Sequence, residues 1–198
     1  MYNVILGIFI LSLVLNSTSA ESMSTPSSST LIDQTAQSSI KKENLTNLMS
    51  STVFIATGTT TFSILFWDLY KSTLYSTSGR YPLTTKSDSL IFHINYLTDI
   101  SSENLIGRTI EQWQHLGIEE NRYSHYIAEL KKLWPNITDG DSLALLIQNN
   151  KSVFYFNDLY IGTIDDPNFG QLFIDIWLSK KTSQPTLRTE LLGDSYYE

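Results

Sequence analysis

The stretch from Phe62 to Tyr75 constrains the fold more than any other part of the chain. It reads Phe62-Ser-Ile-Leu-Phe-Trp-Asp-Leu-Tyr70-Lys-Ser-Thr-Leu-Tyr75. Written as one extended strand, it puts Phe62, Ile64 and Phe66 on one face and Leu65, Trp67 and Leu69 on the other. A strand apolar on both faces must be covered on both, so the pattern predicts the middle of a layered fold. Asp68 falls inside this run, beside Trp67 and Tyr70, where an unpaired buried carboxylate would be costly. Two readings follow: a carboxylate satisfied by neighbouring backbone or hydroxyl donors, or a pocket acid with a pKa raised by burial.

Around this run the punctuation is regular. Val53 to Thr57 reads as a strand ending at Gly58, and Ser72 to Tyr75 continues the central strand or pairs beside it. Ser78-Gly79 and Tyr81-Pro82 mark turns. From Ser89 to Leu97, Leu90, Phe92, Ile94 and Tyr96 alternate with Ile91, His93 and Asn95, the pattern of a half-buried strand. Ser101 or Ser102 caps a helix with a stripe of Ile106, Ile110 and Trp113, stopped at Gly117. A second helix carries Tyr123, Ile127, Leu130 and Trp134 and ends at Pro135.

Beyond it, Ser142 to Gln148 and Ser152 to Phe156 read as strands joined around Asn149-Asn150, and Asn157-Asp158 turns into Leu159 to Ile161. Asp166 before Pro167 caps a third helix with Phe169, Leu172, Phe173, Ile176 and Trp177 on one side. Ser183 and Pro185 open a last short helix that closes at Gly193. Strands, helices, strands and helices joined by hairpin-length connections predict an α+β fold: an antiparallel sheet with a layer of helices.

Composition removes several function classes. The chain has 13 basic and 20 acidic residues in 198, a net charge of -7, so there is no basic stripe for nucleic acid or anionic lipid. Cysteine is absent, which excludes a disulfide framework, a thiolate nucleophile and thiolate metal sites. His93 points away from the apolar face of its strand and reads as structural. His115 and His125 lie on separate helices without the i, i+4 pairing of a metal helix, so no metal is inferred. There is no phosphate-binding glycine loop and no Gly-x-Ser-x-Gly elbow, and no cofactor is inferred. Trp113, Trp134 and Trp177 each sit on a helix's buried stripe and read as core.

Residues 1–20 are a different polymer. Val4 to Leu15 is apolar but shorter than the roughly 20 residues of a membrane span. Asn16-Ser-Thr-Ser-Ala20 follows, then Glu21, so the pattern predicts a signal peptide cleaved after Ala20 and no integral span in the mature chain. The leading Met1-Tyr2-Asn3 lacks Lys or Arg, which leaves an uncleaved N-terminal anchor as the alternative. Residues 21–45 are rich in Ser and Thr and read as a disordered linker, with one domain over 46–195. An exported, cysteine-free, acidic protein fits a bacterial periplasm.

The domain resembles the chalcone isomerase-like family, most closely its small exported bacterial branch. The resemblance rests on Gly58 with Leu65-Phe-Trp-Asp-Leu-Tyr70 and Thr73-Leu-Tyr75, on Tyr96-Leu97 ahead of the helix with Arg108, and on Trp134-Pro135 with Asp139-Gly-Asp141. Its strongest block is Gly162-Thr-Ile-Asp-Asp-Pro167, continuing through Phe169, Phe173 and Ile176-Trp-Leu178. Thr182-Ser183, Pro185, Leu187-Arg188 and Leu192-Gly193 complete it. The resemblance implies a ligand cleft between the sheet and its helices, specifically between the Phe62–Tyr70 strand and the helix from Ser102 to Leu116.

Relatives that are enzymes or fatty-acid binders carry a Gly-x-Gly-x-Arg pattern whose arginine holds an anionic ligand oxygen. Here the stretch is Gly58-Thr-Thr-Thr-Phe62, so Thr60 replaces the second glycine and Phe62 the arginine. Losing that guanidinium removes the charge that favours a phenolate or carboxylate.

The resemblance therefore implies an apolar small-molecule binder, for a fatty-acid-like or aromatic ligand, with Phe62, Trp67, Tyr96 and Arg108 at the site. The alternative is an isomerase or intramolecular lyase acting on an enone-like substrate, with Tyr96 and Asp68 as acid–base candidates and Arg108 stabilising the oxyanion. A third reading is an interaction module, which an exposed contiguous aromatic patch would favour. Cleavage of the leader is open to direct measurement: N-terminal sequencing of the mature protein from its native host should begin at Glu21, and a start at Met1 would establish the anchor instead.

Overall fold

The structure is a computed structural model and describes residues 43–83, 85 and 87–193. The leader and nearly all of the Ser/Thr-rich linker lie outside the described residues. Six strands form one antiparallel sheet in chain order: β1 (Ile55–Ile64), β2 (Trp67–Ser76), β3 (Leu90–Tyr96), β4 (Ser142–Gln148), β5 (Lys151–Phe156) and β6 (Leu159–Ile164). Among the described residues five α-helices accompany it: α1 (Leu45–Ser51), α2 (Ser102–His115), α3 (Ser124–Leu133), α4 (Phe169–Leu178) and α5 (Pro185–Leu192). The α+β architecture expected from the order of signals is present.

The two faces of the sheet have different covers. Leu74, Phe92, Leu145 and Phe154 face the α2–α5 layer and meet Trp113, Phe169 and Phe173 in the main core. On the reverse face Ile91, Ala144, Leu146 and Tyr155 form a smaller core with Leu45 of α1. That helix was not legible in the sequence, because it is only seven residues long and follows a Ser/Thr-rich stretch. Tertiary bonds hold it: the Leu45 N–H donates to the Asp158 carbonyl at 3.0 Å, and the Thr46 N–H to the Asp158 carboxylate at 2.6 Å. Helices this short are marginal without such support.

The central strands are β3 and β4, not the Phe62–Tyr70 run. That run is a hairpin: the chain reverses at Leu65-Phe66, and Ile64 pairs with Trp67. β1 is an edge strand, and Leu65, Phe66 and Trp67 are exposed at its turn. Apolar residues on both faces predicted burial, yet the reversal needs no Gly, Asn or Pro because Leu65 itself adopts φ +57°.

Gly58 does not end a strand either. It sits within β1 at a register shift between Ala56 and Gly58, where the end of α5 lies against the strand backbone. A Cβ on Gly58 would stand 2.0 Å from the Glu190 carbonyl oxygen and 2.7 Å from that of Leu191. The Thr57 hydroxyl donates to the Leu191 carbonyl at 2.8 Å, fastening the same contact.

The helix after β6 starts two residues later than the sequence suggested. α4 begins at Phe169, and Asp166 accepts the Asn168 N–H at 2.8 Å, forming the turn that leads into the helix. α5 begins at Pro185 and closes at Gly193 as expected.

The Gly58 contact predicts a mutational cost. Gly58→Ala forces strand and helix backbones apart and should destabilise the domain by about 1–3 kcal/mol. Urea unfolding of both proteins measures it, and equal midpoints would show that α5 yields freely.

Candidate functional site

The helix-facing side of β1–β3 assembles one compact set of aromatic and hydroxyl side chains. Strand register aligns Phe62 with Tyr70 and Tyr70 with Tyr96. Their ring centroids are 5.2 Å and 6.1 Å apart. From α4, the Trp177 indole N–H donates to the Tyr70 hydroxyl at 2.9 Å, and the Trp177 ring lies 4.5 Å from that of Phe92. In the neighbouring row Thr60 opposes Ser72, and Ser72 opposes the apolar Ile94. The Thr60 hydroxyl bonds the Glu190 carboxylate of α5. Ser72 is fully buried, and its hydroxyl has no hydrogen-bond partner. An unsatisfied buried hydroxyl costs stability and marks a polar position not committed to the fold.

Burial sets the charge state of the two phenols. It pushes the Tyr70 pKa up to about 12, partly offset by the Trp177 hydrogen bond. Tyr96 is raised further, by burial first and then by the adjacent Tyr70. Both are therefore neutral hydrogen-bonding groups at physiological pH and poor bases.

Of the residues expected at a site, the structure brings together Phe62 and Tyr96, with Tyr70 between them. Trp67, Asp68 and Arg108 lie elsewhere. Trp67 is the first residue after the hairpin turn and 74% exposed. Asp68 is exposed and accepts a 2.6 Å hydrogen bond from Ser63, so the pocket-acid reading is corrected. It is held by a hydroxyl, but at the surface. Arg108 is exposed on α2 and pairs with Glu111 at 2.7 Å. The helix packed over β1 and β2 is α5, while α2 packs against α3 and α4.

Two cavities lie away from this set and away from the cleft expected beside α2. One, of about 230 Å³, lies beside α1 and is lined by Met49, Tyr75, His93, Asn157 and Asp158. Burial lowers the His93 pKa there, and the Asp158 carboxylate opposes that shift. The other, of about 210 Å³, is lined by Tyr81, Leu83, Ile147, Asn149 and Gln171. Among the described residues no group of three or more His, Asp or Glu side chains is arranged to hold a metal. None of their helices is long and apolar enough to cross a membrane.

Thr60, Tyr70, Ser72, Trp177 and Glu190 were missed as site residues. Trp177 read as core, and Tyr70 read as strand. Only the hairpin register, invisible without its turn, places Tyr70 across from Phe62.

A family model described as chalcone isomerase-like matches residues 34–193. Among solved structures, a fatty-acid binding protein of Arabidopsis thaliana is similar with a TM-score of 0.52 and 7% identity, over 72% of this chain and 85% of that one. At that identity the likeness concerns the fold. No curated protein matches the chain.

The buried phenols predict an alkaline transition. The Tyr70 pKa rises from 10.0 unfolded to about 12 folded, so the stability linked to it is complete below pH 10 and is lost as pH climbs toward 12. Urea midpoints at about pH 9 and about pH 11.5 should differ less in Tyr70→Phe than in the wild type. An identical pH dependence would show that the phenol is not desolvated.

Proposed function

The chain belongs to the chalcone isomerase-like family, and from that premise we propose that it binds an apolar small molecule without chemical conversion. The observation that carries this reading is the set of Phe62, Tyr70, Tyr96 and Trp177 in mutual contact, with the unpartnered Ser72 hydroxyl two residues along the same strand from Tyr70. None of these side chains is a cation, and the Thr60 hydroxyl on the adjacent strand is bonded to the acid Glu190. Such a lining favours a neutral hydrogen-bonding end, as in a long-chain alcohol or ester, over a free carboxylate. Burial of the apolar remainder supplies the affinity, at roughly 25 cal/mol per Å².

These side chains already touch, so the ligand enters by displacing them, and the Trp177–Tyr70 hydrogen bond is the contact that opens. An acid–base enzyme would draw Tyr96, Asp68 and Arg108 to one substrate. Their separate partners, Tyr70, Ser63 and Glu111, support binding instead. Export to a periplasm remains part of the proposal and rests on the leader alone.

Titration with a fluorescent fatty alcohol and the matching fatty acid tests the reading. Wild type should bind the alcohol more tightly than the acid. Phe62→Arg should gain about 1.5–3 kcal/mol toward the carboxylate, a tenfold to hundredfold tightening, through a charge-assisted hydrogen bond. Failure of wild type to retain any lipid or aromatic compound would refute the binding function. Equal acid affinities in two folded proteins would show that Phe62 does not face the ligand.

A further inference from the structure

The turn joining β1 to β2 is built against the usual chemistry of turns. Ile64 pairs with Trp67, leaving Leu65 and Phe66 as the two loop residues. Leu65 adopts φ +57°, a conformation that costs a branched side chain energy and that hairpins of this length normally give to Gly or Asn. None of the side chains at the tip is repaid by packing: Leu65 is 83% exposed, Phe66 98% and Trp67 74%. Just below them the Ser63–Asp68 hydrogen bond ties the two strands together. The Leu97 N–H bonds the Leu69 carbonyl at 2.9 Å, placing another exposed apolar residue beside the stem.

We propose that this hairpin tip inserts into the surface of a neutral, zwitterionic lipid bilayer. Three large side chains at the tip offer roughly 500 Å², below the about 800 Å² per partner of a standard protein interface. Insertion into the headgroup boundary needs no such area, and Trp and Phe partition there well. The charge selects the lipid: a net charge of -7 and a carboxylate at the tip's base repel anionic headgroups. This surface role rests on the hairpin alone and stands apart from the ligand reading.

The test uses the full chain with phosphatidylcholine vesicles carrying acyl-chain bromines, which quench tryptophan on insertion. Trp113 and Trp134 are buried and Trp177 is bonded to Tyr70, so quenching reports Trp67. It also separates the tip from any binding by the apolar run Val4 to Leu15. Wild type should be quenched and co-sediment. Leu65→Gly/Phe66→Asn should lose quenching and bind at least tenfold more weakly, with an equal or higher Tm because glycine suits the turn. Trp67→Phe should lose the quenching but keep co-sedimentation. Absence of quenching in wild type, or equal quenching in the double variant, overturns the proposal. Binding confined to phosphatidylserine vesicles overturns it too. A wild-type dimer lost in the double variant, without quenching, assigns the tip to a second copy of the chain instead.

Discussion

Burial of both faces of β3 and β4 is the constraint on which the rest of the structure depends. Leu90, Ile91, Phe92 and Ile94 on one strand and Leu143 to Leu146 on the next are buried from both sides, and on β3 only His93 and Asn95 reach toward water. The helix layer α2–α5 covers one side, where Trp113, Phe154, Phe169 and Phe173 fill the space. The other side needs a cover as well, and α1 supplies it through Leu45, anchored to Asp158 by two backbone N–H groups. A helix too short to persist alone is thus specified by the apolar surface it closes.

Away from these strands the sheet becomes less apolar and more specialised. β1 is an edge, and α5 protects it by lying so close at Gly58 that no side chain fits between the backbones. That approach brings Glu190 to Thr60 and encloses Ser72, while α4 delivers Trp177 to Tyr70. The candidate binding set therefore forms where β1 and β2 meet α4 and α5, with the buried Ser72 hydroxyl left unsatisfied among them. A fully apolar core would have no polar position to offer a ligand.

The same edge explains which site residues could be read in advance. Phe62 and Tyr96 were named from the family pattern, and the structure places both against Tyr70. Asp68 and Trp67 were named from an assumed buried strand, and both lie exposed near the turn because that strand is a hairpin. Arg108 lies close in sequence to the Ile106 and Ile110 stripe, but the helix turns its side chain outward to Glu111. Thr60 was noted only as the residue in place of the family's second glycine, and Ser72 carried no signal, since a small polar residue in a strand is ordinary until burial is known.

Periodicity and capping residues by themselves determined the α+β class, strand β3, helices α2 and α3, the β4–β5 hairpin and the Gly193 stop, because alternation, N-caps and positive-φ residues act within a few neighbours. Tertiary structure decided the reversal at Leu65, the existence of α1, and the meeting of β1 with α5. Each depends on contacts between residues far apart in the chain: Ile55 with Ser76, Leu45 with Asp158, Gly58 with Glu190. Local propensity does not encode such distances, whereas the need to cover two apolar faces does.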